Sequence, residues 1–178
     1  MLKFSYRSAR KKTEKGQNPR TSGNVMYRIE DKKQLKLEDF ILPFGGKLNE
    51  KNRWIQLSML IPWSEFEEQY ARQFSDGDEG GAPAKPFRAA LGALIIKEKM
   101  NLTDRETVEQ IRENPYLQYL IGKEAYSDDE PFDASMMVHF RKRITGEMLG
   151  EINERLHVEE VKKNEKLKKK LKRKKKLR

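Results

Sequence analysis

The sequence predicts an all-α fold: one compact multi-helix domain with an extended N-terminal arm and with basic tails that are disordered or frayed-helical. Apolar residues recur three and four positions apart from Trp54 to Leu156, which is the spacing of one helix face. Prolines and capping residues divide this pattern into separate helical stretches. No segment of the chain calls for a β-sheet.

Charge is distributed unevenly along the chain, and this sets the expected domain boundaries. The 178 residues carry 38 Lys or Arg and 28 Asp or Glu, a net charge of +10. Residues 161–178 alone hold 12 Lys or Arg against Glu165, and residues 1–20 hold seven against Glu14. The segment between these ends is therefore acidic. We expect a basic disordered leader over 1–25, a helical domain over 26–160 and a lysine-rich tail over 161–178.

Composition excludes several classes of protein. Cysteine is absent, which excludes disulfides, cysteine-based zinc sites and thiol chemistry. The longest apolar run, Leu91 to Ile96, is far shorter than the roughly 20 residues that cross a bilayer. The basic N-terminus is not followed by an apolar stretch, so it does not have the form of a secretory signal. A soluble cytoplasmic protein with no membrane partner is expected.

An apolar stretch interrupted by turn residues precedes the first helix. Leu35–Leu48 concentrates apolar side chains and then breaks at Pro43 and two glycines, which predicts an extended arm or a short hairpin on a surface. From Trp54 the spacing becomes helical, and this first helix is expected to end near Pro62.

Two further helices are expected on either side of a loop rich in glycine and acidic residues. Ser64 with Glu67 has the form of a capping box. The apolar face of that helix consists of Phe66, Tyr70 and Phe74. Pro86 begins the most apolar helix, over Phe87–Met100, which is expected at the centre of the core.

A capped helix follows directly. Thr103 with Glu106 forms a second capping box, and Asn114 with Pro115 ends the helix. Two helices joined by a three-residue turn have the outline of a helix-turn-helix, whose second helix enters the major groove of DNA. The second helix here is net negative and would be repelled by phosphates. The sequence therefore favours two core helices joined by a tight turn.

Three more helices complete the pattern. Tyr116–Ile121 predicts a short helix closed by Gly122. After an acidic loop, Asp133 or Ser135 is expected to cap a helix. Its inward residues are Met136, Met137, Phe140 and Ile144. A last helix begins near Thr145 and runs toward the lysine tail.

Cations on the helix after the acidic loop are candidates for contact with DNA. They are His139, Arg141, Lys142 and Arg143, with Arg105 and Arg112 of the net-negative helix as two further candidates. The first four cluster away from Met136 and Phe140, so phosphates can reach them while the core face stays buried. Alternatively, this cluster pairs with the acidic loop at Asp128, Asp129 and Glu130, and the sequence leaves both interpretations open.

The lysine tail adds a second group of candidates. They are Lys168, Lys169, Lys170, Lys172, Arg173 and Lys174. Lysine neutralises phosphate without reading bases, so the tail predicts strong, salt-sensitive and sequence-independent affinity. Specificity would then come from the folded domain. The alternative is a solvated low-complexity end that binds any polyanion.

Catalytic chemistry has little support in the sequence. His139 and His157 stand alone, and neither has a second histidine at helical spacing. The carboxylates of the acidic loop, Asp128, Asp129, Glu130 and Asp133, resemble a magnesium cluster, but such a run in a proline-containing loop is more often a solvated turn. No phosphate-cradling glycine loop and no nucleophile elbow occurs. We expect no catalytic residue, no metal site and no cofactor.

Four ordered stretches carry a family resemblance. They are LEDFILPFGGKL, NRWIQLSMLIPW, PAKPFRAALGALIIKEKMNLTDRETVEQIRENPYLQYLIG and PFDASMMVHFRKRI, within about Met26 to Leu156. Together they resemble the N-terminal domain of bacterial insertion-sequence transposases of the IS-five, InsH-like type. The resemblance implies an all-helical domain that serves DNA-end binding and subunit assembly. In that family it precedes an RNase-H-like domain whose Asp, Asp, Glu triad uses Mg or Mn.

The chain departs from the family pattern at both ends. Family members begin near the position of Met26, and the lysine tail stands where the linker to the first catalytic Asp is expected. The resemblance therefore implies a truncated transposase without the catalytic domain and without enzymatic activity of its own. Its expected partners are DNA element ends, further copies and full-length transposase, in the bacterial nucleoid.

Two other functions remain open on the sequence. One is a non-catalytic remnant or protein-interaction module whose tail binds polyanions without specificity. The other is a small nuclease that uses the acidic loop.

Overall fold

The fold is described by a computed structural model over Tyr27, residues 36–74 and residues 84–176; beyond Val158, the described side chains are Val161, Lys162, Glu165 and Lys168. Within these residues seven α-helices follow one another: α1 (Arg53–Leu60), α2 (Trp63–Ala71), α3 (Phe87–Met100), α4 (Asp104–Glu113), α5 (Pro115–Leu120), α6 (Met136–Arg143) and α7 (Gly146–Lys176). They include no β-strand, only an isolated parallel bridge between Ile41 and Ala125. The predicted all-α class is confirmed. The leader expected over 1–25 lies outside the described residues.

Helix α3 is the centre of the core, as its apolar stripe predicted. Nine of its 14 residues are buried, and the helix contacts α2, α4, α5 and α6. Gly92 lies on its α5 side, where a Cβ atom would come within 3.0 Å of the Ile121 side chain. The missing side chain at this position lets the end of α5 approach closely.

The turn between α3 and α4 is tight and capped. Asn101 ends α3 in the left-handed conformation, with φ of 53°. The predicted capping box is confirmed: the Glu106 N–H donates to Thr103 Oγ1, and the Thr103 N–H donates to the Glu106 carboxylate at 2.7 Å. Val108 and Ile111 of α4 are buried, so α4 is a core helix.

The capping box predicted for α2 is wrong. The helix begins at Trp63, so Ser64 lies inside it, and Pro62 occupies the N-cap position without a side-chain hydrogen bond. Glu67 instead accepts a hydrogen bond from the Tyr27 hydroxyl, and that hydroxyl accepts one from the Phe87 N–H at 3.0 Å. The Glu67 carboxylate, which the local pattern assigned to the capping box, is therefore hydrogen-bonded to a residue 40 positions away in sequence.

Over residues 36–52 the segment before α1 is an arm with one short 3-10 helix at Leu37–Asp39, and these described residues form no hairpin. Phe40 and Leu48 are buried in a second small cluster with Ile55 and Tyr119. The backbone of Ile41 donates to the Glu124 carbonyl at 3.1 Å and accepts from Tyr126 at 2.9 Å. The arm is thus held against the loop after α5 rather than against itself.

The acidic loop after α5 is pinned by one buried amide. Gln118 is fully buried; its Nε2 donates to the carbonyls of Arg112 and Ser127, and its Oε1 accepts from the Ser127 N–H. Gly122, with φ of 89°, closes α5 as predicted. These contacts fix the start of the loop that leads to α6.

The entry to α6 differs in detail from the prediction. Ser135 occupies the N-cap position, but its side chain makes no capping hydrogen bond. The Asp133 carboxylate accepts from the Ser135 N–H at 2.8 Å, which shapes the turn before the helix. Hydrogen bonding from the Ser135 side chain, and then from its N–H, lowers the pKa of Asp133. Thr145 caps α7 by accepting from the Met148 N–H, and the α7 backbone stays helical through the lysine tail to Lys176.

Candidate nucleic-acid interface

Helix α6 is positioned by its apolar face. Met137, Phe140 and Ile144 are fully buried, and the Phe140 ring packs edge-on against Phe132 with centroids 5.1 Å apart. This face lies on α3. Because residues of a helix that follow one another turn by about 100°, the opposite face is directed away from the core.

The outward face of α6 presents two of the predicted contacts. His139 and Lys142 are exposed, and Val138 beside them is 42% exposed. A lysine and a histidine on one exposed helix face are suited to phosphate oxygens, since both donate hydrogen bonds and lysine carries a full charge.

Arg141 is turned to the flank of α6 and is held by a carboxylate. Its two terminal nitrogens donate to the two oxygens of Asp104, each at 2.8 Å. Lys97 lies 3.1 Å from the same carboxylate, so Asp104 joins α3, α4 and α6. The hydrogen bonds from Arg141 hold the pKa of Asp104 below its ordinary value, and the same bonds raise the pKa of Arg141. The carboxylate that these hydrogen bonds join to Arg141 lies on α4, at Asp104.

Arg143 lies on the other flank of α6. Its guanidinium carbon is 4.3 Å from the centroid of the Phe74 ring, a cation–π contact. Phe74 also stacks on Tyr27, with centroids 4.8 Å apart. Arg143 and Arg141 therefore frame the exposed face of His139 and Lys142 from two sides.

The two candidate arginines on α4 have carboxylate neighbours. Arg112 lies 3.8 Å from Asp128 of the acidic loop, and Arg105 lines a groove with Glu109, Glu130 and Asp133. The exposed part of α4 also carries Glu106 and Glu113. The structure thus has the outline of a helix-turn-helix at α3 and α4, but the second helix shows a largely acidic surface.

The tail candidates lie on the last turns of α7. Lys168 is exposed, whereas the side chains of Lys169, Lys170, Lys172, Arg173 and Lys174 are outside the described residues. The helical backbone distributes these residues around its axis, so no single face holds all the positive charge. The role of the tail in binding phosphate stays a prediction.

The acidic loop forms no metal site in the described part of the chain, where no group of three His, Asp or Glu side chains could hold an ion. Asp129 accepts a hydrogen bond from the Ser127 hydroxyl at 2.6 Å, and Asp128 faces Arg112. Asp128 and Asp129 are thus each in contact with a neighbouring side chain.

Asp104 and Phe74 are the two residues of this surface that the sequence pattern missed. Each contacts an arginine of α6 from a distant part of the chain: Asp104 is 37 residues from Arg141. Local spacing carries no signal for such pairs. The sequence offers one indication for Asp104: it is a second carboxylate in the first turn of α4, where Glu106 already caps the helix.

Comparison with known proteins finds a relative of part of the chain. The chain is 34% identical over 105 residues to an uncharacterized protein, ORF8 in the nfe locus of Rhizobium meliloti. That match covers 59% of this chain and 49% of the relative, so the chain spans about half of that relative's length. No solved structure matches the chain.

Two further findings concern the described helices and the family of the chain. None of these helices is both long enough and apolar enough to cross a membrane. The model of the transposase domain family DUF772 matches residues 43–143, from the arm to the end of α6. The chain therefore belongs to the DUF772 transposase domain family.

Proposed function

We propose that this chain is the DNA-binding and assembly portion of an insertion-sequence transposase of the IS-five, InsH-like type, and that it binds element ends without cutting them. Membership of a transposase domain family supports a role in transposition. The observation that carries the DNA-binding part is the exposed cationic face of α6 beside a helix, α7, that ends in a dense run of lysines.

The two cationic surfaces would have different tasks. The tail supplies affinity for any duplex, because each phosphate it neutralises releases a counterion. His139 and Lys142 lie on a rigid helix whose flanks are fixed by Asp104 and Phe74. A surface of fixed geometry can favour one arrangement of phosphates and base edges over another, whereas lysines that act as point charges neutralise phosphate without reading bases.

A substitution on α6 tests this division. Lys142→Gln in the full chain should weaken binding to a duplex and lower the salt slope of log affinity by about 1, the loss of one phosphate contact. Fluorescence anisotropy over a series of salt concentrations measures both quantities. Lys51→Gln, an exposed lysine beside α1, is the matched control. Equal effects of the two substitutions would remove α6 from the interface.

A second candidate function is a protein-interaction remnant whose tail binds polyanions without specificity. The pairing of Arg141 with Asp104 and the acidic surface of α4 favour it, since both reduce the positive potential of the folded domain. Changing all 12 Lys and Arg of residues 161–178 to Gln decides between the two. If all preference between duplexes is already absent in the unchanged chain, and all binding is lost with these substitutions, the second function holds.

The absence of cutting is tested directly. The purified chain is incubated with duplexes that carry the ends of its element, in the presence of Mg²⁺ or Mn²⁺, the ions that activate phosphoryl transfer. We expect no strand cleavage above a buffer control. Cleavage that depends on the protein and the metal would show that the chain has catalytic activity.

A further inference from the structure

The two arginines of α6 differ in what holds their guanidinium groups. Arg141 donates from both terminal nitrogens to the two oxygens of Asp104, so its hydrogen-bonding edge is already occupied. The guanidinium of Arg143 lies against the Phe74 ring instead. Among the residues that the structure describes, no carboxylate forms an ion pair with Arg143. The two cations are therefore not equivalent, although they belong to one cluster in the sequence.

The Phe74 ring is fixed by two tyrosines of the core. It stacks on Tyr27 with an angle of 21° between the ring planes, and it lies edge-on to Tyr70 with centroids 5.2 Å apart. Tyr27 and Tyr70 are 4% and 1% exposed. The Tyr27 hydroxyl accepts from the Phe87 N–H at 3.0 Å, which joins this aromatic group to the start of α3. The ring against which Arg143 packs is thus anchored to the core.

Contact with an aromatic face orients a guanidinium without using its donors. The group is planar, its N–H donors point outward from its edge, and its flat face is the part that stacks on a ring. Arg143 therefore keeps its fork of donors, while Phe74 limits the directions in which the fork points. Such a fork matches two acceptor atoms that lie side by side.

The position of Arg143 on α6 lets one ligand reach it together with the exposed cations of the helix. His139 precedes Arg143 by four residues and Lys142 precedes it by one, so the three lie on adjoining parts of the helix surface. His139 and Lys142 are exposed, and Arg143 is half-buried beside them. A duplex that contacts the two exposed side chains would also lie next to Arg143.

We propose that Phe74 is a positioning residue that directs the Arg143 guanidinium at a pair of acceptor atoms in bound DNA. Two parts of DNA offer such a pair: the O6 and N7 atoms of a guanine in the major groove, and two oxygens of one phosphate. Arg141, held by Asp104, takes no part in this contact. The inference rests on the proposed function, because it requires that α6 contacts DNA, and it adds which cation makes the directional contact and what orients it.

Conservative substitution of two stacked arginines tests the contact. The probe is the tightest-binding duplex that the full chain selects from a library of random duplexes. Arg143→Lys keeps the charge and removes the fork, so affinity for this duplex should fall about 10-fold while the salt slope stays unchanged. Arg53→Lys is the matched control, because the Arg53 guanidinium carbon lies 4.9 Å from the Trp54 ring centroid on α1. It should change neither quantity.

Two substitutions in the aromatic group separate orientation from folding. Phe74→Leu keeps an apolar side chain and every charge, but it removes the ring that holds the guanidinium. Affinity for the selected duplex should fall roughly 3-fold, because Arg143 must then be ordered during binding, and affinity for random duplexes should not change. Tyr27→Phe keeps the stacked ring and loses the hydroxyl that accepts from Phe87, so it should lower the free energy of unfolding and leave affinity unchanged.

A double substitution shows whether Phe74 acts through Arg143. In a chain that carries Arg143→Met, the further change Phe74→Leu should have no effect on affinity, because the residue that Phe74 positions is gone. Circular dichroism and urea unfolding establish that each variant is folded at the temperature of the binding measurement. Losses of affinity that add in the double variant would contradict the positioning role.

Modified duplexes identify the acceptor atoms. A 7-deazaguanine removes the N7 acceptor of one guanine, and a methylphosphonate removes the charge of one phosphate. The unchanged chain should lose affinity at one such position, and Arg143→Met should show no further loss there. Loss with 7-deazaguanine identifies a guanine edge, whereas loss with methylphosphonate identifies a phosphate. Losses that add to that of Arg143→Met at every position would overturn the inference.

The outcomes distinguish a failure of this inference from a failure of the proposed function. If a sequence is selected and either Arg143→Lys or Phe74→Leu binds it as tightly as the unchanged chain does, the inference is wrong and the proposed function stands. If no sequence is selected, the proposed function is wrong and the inference fails with it.

Discussion

At the scale of single residues, Arg88 joins α3 to α1, α2 and α5. It projects from α3, and its guanidinium donates to the carbonyls of Tyr119 at 2.7 Å and Leu120 at 3.1 Å, and to the Ser58 hydroxyl at 3.1 Å. The guanidinium carbon also lies 5.2 Å from the centroid of the Trp63 ring. Burial lowers the pKa of Arg88, but its hydrogen bonds satisfy the C-terminal carbonyls of α5.

Replacement of Arg88 should therefore destabilise the fold strongly. Arg88→Met keeps the volume but leaves the carbonyls of Tyr119 and Leu120 without this donor, so the free energy of unfolding should fall by about 2–3 kcal/mol. Urea unfolding at neutral pH measures the change. Arg72→Met is the control, since its exposed pair with Glu68 at 3.7 Å should contribute less than about 1 kcal/mol. Similar losses in the two variants would contradict the role of Arg88.

Single residues also show where the sequence carries information and where it does not. The burial of Phe87, Leu91 and Ile95 follows from helical spacing alone, because one apolar stripe must face the core. The partner of Arg141 could not be predicted in this way. Asp104 is 37 residues away, and which carboxylate an arginine meets depends on how the helices pack.

At the scale of helices, the four-residue sequence pattern of a capping box occurs near the starts of α2 and α4. It forms a capping box only at α4. Thr103 and Glu106 form the capping box of α4. Ser64 and Glu67 do not form one, because α2 already begins at Trp63 and Glu67 is hydrogen-bonded to Tyr27. The local pattern shows only that a capping box is possible. At α2 it does not form, because Pro62 is the N-cap residue and Tyr27 is hydrogen-bonded to Glu67.

This difference predicts that two alanine substitutions change the free energy of unfolding by different amounts. Thr103→Ala removes the hydroxyl that accepts the Glu106 N–H and should lower the free energy of unfolding by about 1 kcal/mol. Ser64→Ala lies within a helix, where alanine is the better residue, and should change it by no more than about 0.5 kcal/mol. Urea unfolding of both variants tests this; an equal loss in both would show that Ser64 does cap α2.

Asp104 makes the packing of α3, α4 and α6 dependent on pH. Its folded pKa is lowered, chiefly by the hydrogen bonds from Arg141, so the unfolded chain binds the proton more tightly. The resulting stability is present above the ordinary pKa of Asp, about 3.9, and is lost as pH falls through the lower folded value. Asp104→Asn should therefore reduce stability at pH 7 and have a smaller effect in acid.

Urea unfolding at neutral and acidic pH measures this dependence. We expect Asp104→Asn to lower the free energy of unfolding by about 1 kcal/mol at neutral pH, since the pair is partly exposed. Asp128→Asn is the matched control, because its contact with Arg112 is long, at 3.8 Å, and the Asp128 side chain is 83% exposed. A loss for Asp104→Asn that is as large in acid as at neutral pH would contradict the ionic role.

At the scale of the whole molecule, the separation of charge is the property that the sequence predicted most directly. The lysines of α7 and the acidic surface of α4 and its neighbouring loop lie on different elements. This arrangement allows one molecule to offer cations to DNA at a place separate from its acidic surface. The sequence could not show which cations of the folded domain are held by carboxylates, because that depends on the contacts of α6.

The most direct test of the central claim is a selection of bound sequences from a library of random DNA duplexes, made with the full chain at physiological ionic strength. The proposed function predicts that one sequence is enriched and that it binds more tightly than the starting library. It also predicts that Lys142→Gln reduces this difference. If no sequence is enriched and all duplexes bind equally, the folded domain does not recognise DNA and the tail alone accounts for binding.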